Sequence, residues 1–211
     1  KYFPIIEPIL EKNGIPDDFK YWLVIESGLQ NVTSPAGAKG FWQIMSSTAK
    51  ENGLEVNSNV DERYHLEKAT QVACDYLNAA KERFGNWTMA AAAYNAGNAG
   101  MSRRINAQKV DSYYDLLLVS ETSRYLPRIV AVKEILSNPN KYGFIFDKED
   151  LYALEATKTI KVDTVITDIA VFSKGLGINY KILKTHNPWL RENKLNNKSR
   201  KLYEIKIPTE L

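Results

Sequence analysis

The chain is poor in the residues that build disulfides and soft-metal sites, with one cysteine and two histidines among 211 residues. The single thiol, Cys74, excludes an intramolecular disulfide and a cysteine-based metal site. Because Cys74 falls within an amphipathic helical pattern, we expect a buried or half-buried structural thiol. Neither His65 nor His186 stands in a context that would serve a nucleophile, so we interpret both as structural or surface residues.

Long apolar runs and charge of one sign are also scarce. No stretch approaches the ~18 apolar residues that a membrane-spanning helix needs. The net charge is only +3, without a basic stripe or nucleic-acid motif, so we expect no nucleic-acid partner. A mildly basic surface suits an anionic polymer, although many proteins with neutral substrates share it. The sequence implies no metal and no organic cofactor, and it leaves the oligomeric state open.

What is present is the composition of a folded globular protein, 44% hydrophobic and 11% aromatic. The length suits one medium domain, or a domain of about 150 residues with a small module. The first residues, Lys1-Tyr2-Phe3-Pro4, do not resemble a signal sequence and start inside ordered-looking sequence. We therefore expect that a targeting segment was removed, and localisation must be inferred indirectly.

Apolar residues with helical periodicity dominate the first two-thirds of the chain. The strongest pattern runs from Glu62 to Phe84 and is closed by Gly85, and the alanine-rich stretch 86–97 predicts a slim central helix. Pro127 should either kink a helix over 120–136 or mark its first turn. Shorter helices are predicted over 4–13, from 16 to 28 and over 46–51, whereas the polar, turn-rich residues 98–112 predict a surface loop.

After residue 143 the sequence changes to that of a small α+β module. Alternating β-branched residues predict strands over 157–163 and 201–207. Two short helices, over 167–174 and 179–185, are predicted between them. We therefore divide the chain into a helical domain, 1–145, and a C-terminal module, 155–211, with the boundary between about 143 and 155.

Glu26 is the most informative single residue. It lies three and four residues after Leu23 and Trp22, which places it on the apolar face of its helix. A carboxylate there loses hydration, so its pKa should rise and the neutral acid should be favoured. A protonated acid near neutral pH is suited to acid-catalysed bond cleavage. The alternative for Glu26 alone is a helix-end glutamate that curls out to water.

Four short motifs then carry a resemblance. They are Glu26-Ser27-Gly28, Gly40-Phe41-Trp42-Gln43-Ile44-Met45, Ala93-Tyr94-Asn95-Ala96-Gly97 and Glu121-Thr122-Ser123-Arg124-Tyr125. Each is weak alone, but all four in this order are hard to obtain by chance. Together they resemble the lysozyme-like lytic transglycosylases of the membrane-bound lytic murein transglycosylase D type, over most of residues 1–145. The second motif departs from the commoner Gly-Leu-Met-Gln form, although its tryptophan keeps the apolar bulk.

The resemblance implies a mainly α fold, with a lysozyme-like (goose-type) helical catalytic domain followed by a small α+β module. It also implies cleavage of the β-1,4 bond between N-acetylmuramic acid and N-acetylglucosamine in peptidoglycan, with Glu26 as the single catalytic residue. Glu26 would protonate the leaving oxygen and then take the proton of the sugar's own 6-hydroxyl, which attacks the anomeric carbon. The product would be a 1,6-anhydromuramic acid end, formed without hydrolysis.

The first two motifs imply substrate contacts. Ser27 and Gln43 would hydrogen-bond sugar or the backbone of the site. Trp42 and Met45 would form the apolar wall of the cleft, where aromatic faces suit sugar rings.

The last two motifs imply further contacts around the acid. Tyr94 would place its hydroxyl beside Glu26 or the muramic acid N-acetyl group, and Asn95 would line the cleft. Glu121 would brace the site from the opposite helix, and Tyr125 would help to position it. The two tyrosines could instead be core aromatics, and Glu121 an acidic residue favoured by the dipole of its helix.

The C-terminal module resembles a divergent LysM domain, with Asn187-Pro188 after its second helix and only Val162-Asp163-Thr164 at the usual Gly-Asp turn. This resemblance implies binding of N-acetylglucosamine polymers, and a packing domain that shapes the cleft is the alternative. The implied partner is the peptidoglycan glycan strand. The implied location is the bacterial cell envelope, in the periplasm, with membrane tethering through an N-terminal anchor outside this sequence left open.

Two alternatives to the transglycosylase remain. A hydrolytic goose-type lysozyme would need a carboxylate that activates water, for which Asp61 and Glu62 are candidates. An inactive glycan-binding envelope protein would have no need for a buried acid. The presence of four motif residues therefore favours an enzyme: Glu26, Gln43, Tyr94 and Asn95.

Overall fold

The structure is a computed structural model, and it describes residues 1–210. Within them the helices are α1 (Phe3–Lys12), α2 (Trp22–Ser27), α3 (Ser46–Glu51), α4 (Leu66–Phe84), α5 (Trp87–Ala96), α6 (Asn98–Gln108), α7 (Ser120–Ser123), α8 (Tyr125–Ser137), α9 (Ile169–Gly175) and α10 (Tyr180–His186). The strands are β1 (Thr157–Val162) and β2 (Tyr203–Pro208). Among residues 1–210, no helix combines the length and apolar character needed to cross a membrane.

Most helix ends follow the local chemistry of the sequence. α2 is preceded by a 3-10 turn, Asp17–Tyr21, and ends at Gly28, whose φ of 59° is the left-handed cap that glycine adopts without strain. α4 begins at Leu66 rather than at Glu62. There the side chain of Asp61 accepts the N–H of Arg63 and starts a separate 3-10 turn. Cys74 is fully buried in α4, as expected, and burial raises the pKa of its thiol to about 12.

The surface loop predicted over residues 98–112 is wrong for its first eleven residues, which form α6. Met101 is fully buried, and Ile105, one helical turn later, packs partly buried against the same apolar cluster. This i, i+4 pair is enough to dock one face of the helix, while its other residues stay polar. The polar composition of the other residues therefore led to the prediction of a loop where an amphipathic helix forms.

The predicted helix over 120–136 is interrupted rather than kinked. α7 ends at Ser123 and α8 starts at Tyr125, with Arg124 between them. Pro127 lies in the first turn of α8, where a missing backbone N–H removes no helical hydrogen bond. The second of the two expectations for Pro127 is thus confirmed.

The chain divides into two compact units. The first, called here the Glu26 unit, consists of Tyr2–Leu29 and Thr70–Leu151. Its α5 contains Ala90 to Ala93, all fully buried, as expected for a slim central helix. The cluster around α5 includes Met89, Met101, Tyr113 and Leu116.

The second unit, called here the Gln43 unit, joins Gln30–Ala69 to Lys1 and to the residues from Tyr152 onward. β1 and β2 pair antiparallel, from Thr157 opposite Pro208 to Val162 opposite Tyr203, with α9 and α10 between them in sequence. The predicted strand–helix–helix–strand module is therefore confirmed. The domain bounds 1–145 and 155–211 remain a prediction.

Residues of segment 30–69 share the apolar core of that module. Val60 and Tyr64 belong to one buried cluster with Ile169, Leu190 and Ile205. Polar contacts join the same parts, since the side chain of Asn59 donates to the carbonyl of Lys194 at 2.7 Å and accepts the N–H of Asn196 at 2.8 Å. The C-terminal module and segment 30–69 are thus one packed body.

Candidate active site

Glu26 lies near the end of α2, half-buried, with its indole neighbour one turn before it. The Nε1–H of Trp22 donates to Glu26 Oε1 at 3.2 Å, as the i, i+4 spacing allows. The hydroxyl of Tyr125, at the start of α8, donates to the same oxygen. Two donors therefore converge on one oxygen of the carboxyl group.

The pKa of Glu26 is raised from 4.5 to about 7. Burial is the largest cause, because it removes water from the charged form. The hydrogen bond from Trp22 opposes this shift, and the negative charge of Glu121 adds to it. The raised pKa expected from the sequence is confirmed.

Aromatic rings enclose the indole that holds Glu26. Trp22 is fully buried and packs edge-to-face against Tyr94 and Tyr125, with ring centroids 4.8 Å away in each case. Phe19 stacks on it at 5.3 Å. Burial, followed by the charge of Glu26, raises the pKa of Tyr94 well above its usual range, so its hydroxyl stays neutral.

Asn95 and Glu121 are joined by a short chain of hydrogen bonds. Asn95 Nδ2 donates to Glu121 Oε1 at 3.3 Å, and Thr122 Oγ1 donates to Asn95 Oδ1 at 2.8 Å. Glu121 itself is exposed, whereas Thr122 is buried. The structure thus brings Glu26, Tyr94, Asn95, Glu121 and Tyr125 into the Glu26 unit.

Ser27 is buried and uses its hydroxyl within its own helix, donating to the carbonyl of Leu23 at 3.0 Å. This agrees with a bond to the backbone of the site rather than with a contact to sugar. Its role in substrate binding stays a prediction.

Gln43 lies in the Gln43 unit, on a tight loop with an unusual backbone. Its φ is 48°, in the left-handed region that non-glycine residues rarely occupy. Its side-chain Nε2 donates to the carbonyls of Gly40 at 2.7 Å and Val32 at 3.2 Å. Backbone strain of this kind is often found at functional sites, where the surrounding structure enforces it.

A buried arginine holds the loop that carries Gln43. Arg63 Nη1 donates to the carbonyls of Gly37 at 3.1 Å and Ile44 at 3.3 Å, one on each side of the loop. Gly40 packs so tightly that a Cβ there would lie 2.1 Å from the carbonyl oxygen of Arg63. Only glycine fits at that position of the motif.

The two remaining residues of this motif differ in exposure. Met45 is 43% exposed and is available to a ligand. Trp42 is fully buried, so its side chain has no exposed surface that could form the wall of a cleft.

The two carboxylates considered as activators of water for hydrolysis are both buried and hydrogen-bonded within the protein. Asp61 is buried and accepts from Arg63 Nε at 2.9 Å and Nη2 at 2.8 Å. Glu62 is buried and accepts from Lys68 and from the N–H of Glu55. Burial alone would raise the pKa of Glu62, but these hydrogen bonds outweigh it and lower the pKa.

Comparison with known proteins places these observations in a family. The model of the transglycosylase SLT domain matches residues 5–116, more than half of the chain. The chain belongs to the transglycosylase SLT family. Residues 158–211 of this SLT-family chain match the soluble lytic transglycosylase C-terminal LysM-like domain. The resemblance and the mainly α fold with a LysM-like α+β module are thereby confirmed.

Relatives of this SLT-family chain include the membrane-bound lytic murein transglycosylase D of Escherichia coli K12 and that of Escherichia coli O6:H1. Each is 28% identical over 184 residues, covering 84% of this chain and 40% of the relative. The chain therefore spans about two fifths of the length of these relatives. A structure titled as the complex of the 70-kDa soluble lytic transglycosylase with bulgecin A matches with a TM-score of 0.52 and 24% identity, covering 72% of this chain and 26% of that one. This last likeness shows the fold.

Two residues that hold predicted site residues in place were not identified from the sequence. Thr122 and Arg63 are adjacent in sequence to predicted residues, but the sequence around a buried threonine or arginine does not indicate which distant residues it hydrogen-bonds. In residues 1–210, no group of three or more His, Cys, Asp or Glu side chains is arranged to hold a metal ion.

Proposed function

We propose that this SLT-family chain is a peptidoglycan lytic transglycosylase that cleaves the bond between N-acetylmuramic acid and N-acetylglucosamine without hydrolysis. The observation that carries the proposal is the half-buried Glu26, whose pKa is about 7. Such a group is populated both as an acid and as a base near neutral pH, which a residue with two successive proton transfers requires. The family and the printed names of the relatives supply the substrate class.

In the first step, protonated Glu26 donates its proton to the glycosidic oxygen as the bond to the anomeric carbon breaks. In the second step, the Glu26 carboxylate removes the proton of the 6-hydroxyl as that oxygen bonds to the same carbon. The product is a 1,6-anhydro end, and Glu26 is protonated again. An internal nucleophile has a high effective concentration and can replace a positioned water.

The neighbours of Glu26 suit this cycle. Trp22 and Tyr125 donate to the carboxyl and stabilise it when it is charged, between the two steps. Burial and the charge of Glu121 act in the other direction and keep the acid protonated at the start. We further propose that Ser27, Tyr94 and Asn95 support the site, and that Gln43 and Met45 contact the glycan.

The hydrolytic alternative has less support. Two-carboxylate hydrolases need a second group free to attack or to activate water. Asp61 and Glu62 are buried and bound to Arg63 and Lys68. A proposed location in the bacterial envelope, in the periplasm, follows from the peptidoglycan substrate.

Mass spectrometry of products from purified peptidoglycan tests the proposal. The chain should release anhydro-muropeptides, each lighter by one water than a hydrolysis product, and Glu26→Gln should release none while still binding the polymer. Glu82→Gln, which removes an exposed carboxylate of α4, is the matched control and should remain active. Reducing-end products would instead establish a hydrolase, and unchanged cleavage by Glu26→Gln would refute the assignment of the acid.

A further inference from the structure

Thr122 is a buried polar residue in the centre of an exposed turn. It is 2% exposed, whereas its neighbours Glu121 and Ser123 on α7 are both exposed. A buried hydroxyl normally has a hydrogen-bond partner, and here the partner is the amide oxygen of Asn95, at 2.8 Å. This pair links α7 to the end of α5.

The chemistry of the three side chains fixes the direction of each bond. Glu121 as a carboxylate only accepts, so the Nδ2 of Asn95, 3.3 Å away, must be the atom that faces it. The amide oxygen of Asn95 then faces Thr122, whose hydroxyl must donate. A residue without a hydroxyl at position 122 would remove the shorter of the two hydrogen bonds that orient the amide.

α7 is itself anchored, although it has only four residues. The hydroxyl of Tyr113 lies 3.0 Å from the carbonyl oxygen of Thr122 and 2.7 Å from that of Ser123. Tyr113 is buried in the cluster around α5. The backbone that carries Thr122 is therefore held independently of its side chain.

We propose that Thr122 is a positioning residue, which fixes the Asn95 amide and through it holds the Glu121 carboxylate in place near Glu26. The inference rests on the proposed function, in which Glu26 is the acid. An exposed carboxylate without such a restraint samples many rotamers, and its average effect on a neighbouring charge falls. Thr122 thereby maintains the contribution of Glu121 to the raised pKa of Glu26.

The other charged and titratable groups near Glu26 are distinct from this chain of contacts. Tyr125 donates to it from α8, and Tyr94 faces it from α5. On the 3-10 turn and α8, which pack against α2, Asp17 pairs with Lys20, Asp18 with Lys133 and Glu134 with Lys141. The hydroxyl of Tyr21 lies 3.5 Å from that of Ser137, and Arg124 and Arg128 are exposed. A change at Thr122 should therefore reach Glu26 through Asn95 and Glu121.

The test compares Thr122→Val, which keeps the shape but removes the hydroxyl, with Thr122→Ser, which keeps the hydroxyl. In carboxyl-labelled protein, carbon NMR should show the titration of Glu26 moving to lower pH by about half a unit in Thr122→Val, the size that an exposed charge pair gives. Thr122→Ser should titrate as the wild type does. The alkaline limb of the kcat/KM profile should shift by the same amount.

A second pair of variants isolates the route. Glu121→Gln alone should move the titration of Glu26 to lower pH. Adding Thr122→Val to Glu121→Gln should cause no further shift. If Glu26 titrates in Thr122→Val as it does in the wild type, the positioning role is overturned, because a merely structural role would change stability and leave the titration of Glu26 unchanged. A further shift in the double variant would also overturn it, because Thr122 would then act on Glu26 by a route other than Glu121. The NMR readout needs no turnover, so it distinguishes failure of this inference from failure of the proposed function, which the Glu26→Gln products decide.

Discussion

Replacing Glu26 by glutamine should make the folded chain more stable at alkaline pH, even though it removes the proposed acid. The pKa of Glu26 is raised from 4.5 to about 7 on folding. Each pH unit of such a difference corresponds to about 1.4 kcal/mol, so ionised Glu26 costs about 3 kcal/mol in the folded state. Glutamine has a similar shape and still accepts from Trp22 and Tyr125, but it never ionises.

The pH window follows from the sign of the shift. Because the folded-state pKa is the higher one, the stability linked to protonated Glu26 is fully present below about pH 4.5 and is lost as pH rises through about 7. Below pH 4.5 the wild type and Glu26→Gln should unfold with nearly equal free energies. By about pH 8 the variant should be more stable by up to about 3 kcal/mol, or several degrees in Tm for a chain of this size.

Urea unfolding followed by tryptophan fluorescence, at a series of pH values from about 4 to about 8, measures this difference. Glu82→Gln, on the exposed side of α4, should show no pH-dependent gain. A difference between Glu26→Gln and the wild type that does not grow with pH would refute the reasoning, because it would mean that folding does not raise the pKa of Glu26.

Three other changes have specific expected outcomes. Gly40→Ala should lower the free energy of unfolding in urea by at least about 3 kcal/mol, since the new Cβ would clash with the carbonyl of Arg63. Gly37→Ala, at a glycine with positive φ but open space around it, should cost only about 1 kcal/mol. Equal costs for the two variants would contradict the clash. Tyr125→Phe removes a donor to the proposed acid, so the alkaline limb of the pH–rate profile should move up; a downward shift would contradict this. Cys74 is fully buried, with a pKa of about 12, so Ellman's reagent should label it only after unfolding; rapid labelling of the folded chain would contradict the packing.

The elements that sequence reasoning found best are those with local causes. The i, i+4 spacing of Trp22 and Glu26 predicted both the apolar setting and the raised pKa, because neighbours along one helix face are fixed by helical geometry. α6 was missed because its docking depends on Met101 meeting a cluster that distant parts of the chain supply. Composition within the helix could not show that cluster.

The site shows the same division. Tyr125 reaches Glu26 across 99 positions of sequence, and only the family resemblance indicated that the two belong together. Thr122 and Arg63 act through partners that are not visible in their own segments. Trp42 is buried, although its motif indicated a place in the cleft. Contacts between distant segments are therefore what the sequence alone could not provide.

The shared core of Val60 and Tyr64 with the C-terminal module limits how this protein can be shortened or recombined. A module joined only by a linker can be exchanged or deleted at no cost to the rest. Here, deletion of the residues after 151 would expose Val60 and Tyr64 and leave Asn59 without Lys194 and Asn196. Because they belong to one compact unit, we expect segment 30–69, which carries Gln43, to need the residues from Tyr152 onward to fold. The smallest functional fragment of this chain is therefore expected to include the LysM-like module.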